Sequence, residues 1–167
     1  MESRAVYLRV VMNSEFTLFL TGLLAAILVV AAVIDVRTFT ISNRLNLTVA
    51  LLAPVFWWSV HLPIWPGAAV QVAVAAGVFA LLAIAFVTGM MGGGDVKLAA
   101  ALALWFSPAD TIRFLIIMSI AGGVLTLVVV VAHKLRSKES RPEIPYGVAI
   151  AIGGLAILAQ RFLNQFA

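Results

Sequence analysis

Cysteine is absent from this chain of 167 residues, which excludes disulfides, thiolate metal sites and cysteine nucleophiles. Charge is nearly as scarce: Asp, Glu, Lys and Arg make up 11% of the residues, against about 25% in an ordinary soluble domain. Two histidines are too few to build a metal cage alone, and no cofactor or metal is expected. Hydrophobic residues fill the space instead, at 63% of the chain with a mean hydropathy of +1.13. So little polar composition cannot coat a water-soluble globule, so the solvent must be largely lipid. The eleven Lys and Arg against seven Asp and Glu then report loop orientation, and no nucleic-acid partner is expected.

A crossing needs about 20 apolar residues. Phe16 to Ile34 is uncharged and ends at Asp35; Leu45 to Gly94 is uncharged and is divided near Pro63, Trp65, Pro66 and Gly67. That predicts helices near Leu45 to Leu62 and Ala68 to Met91. Val96 to Ser107 is short, stopping at Pro108, while Phe114 to Ala132 and Ile144 to Gln160 complete the set. The expected fold is all-α: a polytopic membrane bundle of about six transmembrane helices with a short fourth, one domain over residues 16–166, preceded by a tail or interfacial segment at 1–15. Arg4 and Arg9 before the first run resemble a signal peptide, but that run is longer than the usual h-region and is expected to be retained. Met12 is an alternative start.

Six crossings put the loops after helices one, three and five on one side. Those loops hold Arg37, Arg44, Lys97, Lys134, Arg136, Lys138 and Arg141, against Arg4, Arg9, Arg113 and Arg161 on the other. The positive-inside rule places the richer side in the cytoplasm. Trp57, Trp58, Trp65 and Trp105 suit an aromatic belt on the outer side.

Asp35 closes the first helix and Asp95 opens the short fourth, so two carboxyls lie near one membrane face. Acids in membrane helices are costly and mark functional sites by default. Read singly, each is equally a solvated end-cap, with Asp95 serving as an N-cap. Gly92, Gly93 and Gly94 before Asp95 shift the balance: such a run costs about 1 kcal/mol per residue relative to Ala in a helix. It permits positive φ and lets another backbone approach the acid. Gly122, Gly123, Gly153 and Gly154 are read as helix-packing positions.

Asp35-Val36-Arg37 with Ile41-Ser42-Asn43, Gly92-Gly93-Gly94-Asp95-Val96-Lys97-Leu98, and Pro145-Tyr146-Gly147 together resemble the signature segments of the prepilin peptidases, also called type IV leader peptidases. These are GxGD-type intramembrane aspartyl proteases. The short length and the Asp-x-Arg and Pro-Tyr-Gly segments resemble most the small CpaA/TadV-like branch associated with tight-adherence (Flp-type) pili. The likeness runs from the first helix through the last. It implies a peptidase of the prokaryotic inner membrane that removes the basic leader from prepilins and pseudopilins at the cytoplasmic face. Membrane lipids and the pilus assembly machinery are its implied surroundings. Asp35 and Asp95 would be catalytic, with Gly92, Gly93, Gly94, Asn43, Tyr146 and Gly147 contacting substrate or shaping the loops. Two departures stand out. Ser42 replaces the family's usual Pro, which relaxes a rigid turn, and the zinc-binding methyltransferase region of larger members has no counterpart, so no methyl transfer is expected.

An aspartyl mechanism needs two carboxyls sharing one proton, titrating as a coupled pair and giving a bell-shaped pH profile. Arg37 and Lys97 are candidates for tuning that pair, or for binding lipid phosphates; positive-inside anchoring is the plainer reading. Two other functions remain open from the residues. One is a small proton-coupled carrier, since paired acids also relay protons. The other is a non-catalytic assembly protein using its small residues for packing.

Overall fold

The structure, a computed structural model, describes residues 2–135 and 144–164, with side chains from residue 14 onward. It holds six helices: α1 (Glu2–Thr38), α2 (Asn43–Ser59), α3 (Ala69–Val87), α4 (Gly93–Ala103), α5 (Pro108–Leu135) and α6 (Tyr146–Asn164), with an irregular turn at Ile64–Ala68 between α2 and α3. No strand occurs among the described residues. Among the described residues four segments are long and apolar enough to cross a membrane: Ser14–Thr38, Ile64–Val87, Pro108–Leu135 and Tyr146–Asn164. The helices number six, with a short fourth, as expected; four reach spanning length, and α2 at 17 residues and α4 at 11 are shorter.

Local chemistry sets the helix starts. Ser42 caps α2, its hydroxyl accepting from the Leu45 N–H at 3.3 Å. Its φ of −70° is the angle a proline would impose, so the serine holds the same backbone while adding a cap. α5 starts six residues before the expected Phe114, because Ser107 accepts from the Asp110 N–H at 3.1 Å and Pro108 occupies the first helical position.

α4 is apolar nearly all round and is correspondingly enclosed, packing against α2, α3 and α6. Of its residues from Asp95 to Ala103 only Lys97 is not buried. Small residues let α6 approach its neighbours: a Cβ on Gly153 would lie 3.1 Å from the Phe114 carbonyl oxygen, and one on Gly154 2.8 Å from Leu28 Cδ1. Gly122 faces Tyr146 and Ala149 in the same manner. Gly123 faces open space, so the packing expectation fails there.

The aromatic belt also needs correcting. Trp58 and Trp65 are 72% and 82% exposed, as an interfacial ring would be. Trp105 is buried, donating its indole N–H to the Val49 carbonyl at 2.9 Å, and Trp57 donates to the Leu104 carbonyl at 2.7 Å. These bonds fasten the end of α4 to α2. Trp105→Phe is expected to destabilise the detergent-solubilised protein by about 1–2 kcal/mol, the net value of one hydrogen bond plus the volume lost, read as a lower thermal midpoint.

Candidate active site

Leu20, Leu24, Leu28 and Ala31 form a buried stripe on α1 at helical spacing, and Asp35 is its next member. The carboxyl therefore points into the bundle and is 2% exposed. There it meets the start of α6. The Gly147 N–H donates to Asp35 Oδ2 at 2.7 Å, with the Val148 backbone beside it. A helix start has orphan N–H groups, so Asp35 serves α6 as a cap supplied from another helix. A side chain at 147 would displace Asp35 or Ile41: a Cβ would fall 2.7 Å from Ile41 Cδ1 and 2.8 Å from Asp35 Oδ2.

Asp95 lies in the first turn of α4, but the N-cap is Gly92. Asp95 sits three residues further on and folds back on the Gly92 backbone, as the acid of a capping box does. It is 8% exposed, and its Oδ1 has no hydrogen-bond partner among the described residues. A polar oxygen buried in this state is costly and is available to a ligand.

None of the three glycines before Asp95 adopts positive φ; Gly89 does, at +73°. The run serves close approach instead. A Cβ on Gly94 would lie 2.6 Å from the Ile41 carbonyl oxygen, and one on Gly93 3.2 Å from the Phe86 ring. Ile41 thus touches both Gly94 and Gly147, clamping the elements that carry the two acids.

The two buried acids thus sit on neighbouring elements that Ile41 holds together. Asp95 faces a cleft of about 410 Å³ bounded by residues 38–40, 89–92, Ile144 and Tyr146. These come from the α1–α2 and α3–α4 connections and the start of α6, so the loops expected on one side do converge at one end of the bundle. The Tyr146 hydroxyl lies 3.4 Å from Thr126 Oγ1. Arg136, Lys138 and Arg141 of the basic loop lie outside the described residues.

Not every candidate reaches this cleft. Arg37 is exposed on the last turn of α1. Lys97 donates to Asn43 Oδ1 at 2.8 Å, and the two line a groove between α2, α3 and α4 rather than the cleft. One residue that the sequence reading passed over is central: buried Asn46 donates its amide to the Gly94 carbonyl at 2.9 Å, tying α2 to the turn that carries Asp95. A lone asparagine one turn after Asn43, inside a long uncharged run, was the available signal. No cluster of three or more His, Cys, Asp or Glu occurs among the described residues.

Fold and site define a polytopic helical membrane protein with two buried acids at one end of its bundle. The model of the type IV leader peptidase family matches residues 22–127, which include both acids and the glycine run, and the chain belongs to that family. The match ends before Pro145-Tyr146-Gly147. Comparison with curated proteins and with solved structures gave no match. Family membership supports a peptidase function.

Proposed function

We propose that the chain is an intramembrane aspartyl endopeptidase that removes the short basic leader from prepilins and pseudopilins of the Flp type, as the CpaA/TadV-like branch does. The observation that carries this reading is that Asp35 and Asp95 are both buried at the end of the bundle where the cleft lies, Asp95 lining it, in a chain of the type IV leader peptidase family. In this reading α2 and α4, the latter together with its flanking connections, complete the six passages between the two faces. The cleft end faces the cytoplasm of a prokaryotic inner membrane, following the excess of cations on that side.

The leader lies extended in the cleft, and its scissile carbonyl reaches the acid pair. One carboxylate takes a proton from water, whose oxygen attacks the carbonyl carbon; the other, protonated, hydrogen-bonds the carbonyl oxygen as charge develops there. Collapse of the tetrahedral species breaks the C–N bond, with the proton passing to the leaving amine. Gly92 keeps the cleft wall beside Asp95 low, with Gly93 and Gly94 packed behind it on Phe86 and Ile41, and Tyr146 shapes another side while Gly147 holds Asp35. No cofactor enters this chemistry.

The test combines the purified protein in detergent with a prepilin carrying a basic leader and an apolar helix. Appearance of the shortened pilin supports the reading. An uncut prepilin with pure components, alongside processing in cells, would favour a non-catalytic assembly protein, and acid-dependent proton uptake into proteoliposomes without cleavage would favour a carrier.

A further inference from the structure

A groove of about 360 Å³ runs along the outer side of α4 between α2 and α3, away from the acid pair. Its floor is low because it is built from alanine, at 50, 75, 100 and 101. Leu47 and Phe79 stand at its sides, 57% and 46% exposed. From Lys97 and Asn43 at one end to Leu104 at the other it extends about 10 Å along the helix axes, taking 1.5 Å per residue.

The polar end is asymmetric in charge. Among the described residues Lys97 is the sole ionised one lining the groove, and no acid lines it. Asn43 Oδ1 accepts one of the three ammonium N–H donors and so fixes the head, leaving donors for an anion. That end belongs to the face where the connections gather around the cleft; with that face at a membrane boundary, the flexible lysine stem can extend to lipid phosphates. An apolar trough with one oriented cation at the headgroup level has the complementarity of an anionic phospholipid.

We propose that this groove is a binding site for one anionic phospholipid, its phosphate on Lys97 and an acyl chain lying in the alanine trough between α2 and α3. The site shares α4 with Asp95, and Asn46, which lines the groove, also holds the Gly94 carbonyl. A lipid bound there braces the turn that carries Asp95.

The experiment is native mass spectrometry of the detergent-purified full chain, titrated with phosphatidylglycerol or phosphatidylcholine. One phosphatidylglycerol per chain is expected to be retained, about tenfold more tightly than phosphatidylcholine. Lys97→Gln should erase that preference while leaving weak retention of both lipids. Ala50→Phe, which fills the trough and keeps the cation, should lower retention of both. Equal retention of the two lipids by the unaltered chain, a preference for phosphatidylglycerol that survives Lys97→Gln, or undiminished retention of both by Ala50→Phe, would overturn the proposal. Retention is read without any cleavage assay, so failure here leaves the peptidase reading standing, and failure of the peptidase reading leaves this one.

Discussion

Asp95→Asn is expected to lower the rate of leader cleavage by about 10³-fold or more while leaving the helices intact. Positioned acid–base groups contribute typically about 10²–10⁴ in rate, and an amide can neither give nor take the shared proton. The fold should survive because the side-chain oxygen can still fold back on Gly92, as Asp95 does now. Asp35→Asn should give a loss of the same order for the same reason. Its retained oxygen can still accept from the Gly147 N–H, and asparagine caps helices about as well as aspartate, so the thermal midpoint should barely move. Asp35→Ala, by contrast, also removes the cap on α6 and should cost a further ~1 kcal/mol of stability. Initial rates of prepilin cleavage with purified variants, beside their melting curves, separate the two effects. Processing at a tenth of the normal rate or better in either Asn variant would remove the two-carboxyl mechanism.

Gly94→Ala should be nearly as damaging, although the added methyl touches no reacting group. Its Cβ would sit 2.6 Å from the Ile41 carbonyl oxygen and 3.2 Å from Ile41 Cβ, so the start of α4 must move away from the α1–α2 connection. Asp95 is the next residue and moves with it. A misplacement of about 1 Å costs on the order of 10²-fold in rate, and overpacking adds about 1–3 kcal/mol of destabilisation. Gly123→Ala is the control. Nothing lies within 4 Å of its Cβ position in the interior of α5, so the substitution should leave the rate unchanged and stabilise the helix by up to about 1 kcal/mol. Equal rates for Gly94→Ala and the unaltered chain would show that the contact with Ile41 does not position the acid.

The helices were legible because lipid imposes long uncharged runs, and the ends of those runs located Asp35 and Asp95. The helix starts at Asn43 and Pro108 were carried by Ser42 and Ser107, whose capping chemistry lies outside any hydropathy count. The purpose of the glycine run was misread in part. Positive φ is a property of one residue, whereas the need for Gly94 arises from Ile41, more than fifty positions earlier, whose carbonyl presses on it. Composition cannot reveal such a pairing. Trp105 was misplaced for a related reason: tryptophan favours interfaces because its N–H seeks a partner, and here the Val49 carbonyl supplies one inside the bundle. Asn46 went unnoticed because its partner is a backbone carbonyl, which leaves no trace in side-chain patterns.

At the end of the bundle remote from the acids, Arg161 on α6 donates to the Trp105 carbonyl at 3.0 Å, pairs with Asp110 at 3.0 Å and lies 5.3 Å from the centre of the Phe106 ring. Together with the Trp57 and Trp105 indoles, this fixes the base of α4 to both α2 and α6. An eleven-residue helix held at its base is a lever about 16 Å long, so a tilt of only about 10° displaces its tip by about 3 Å. Asp95 rides at that tip while Asp35 stays with α1. The placing of Asp95 therefore depends on anchors at both ends of one short helix, the base held by these bonds and the tip by Asn46 and Ile41.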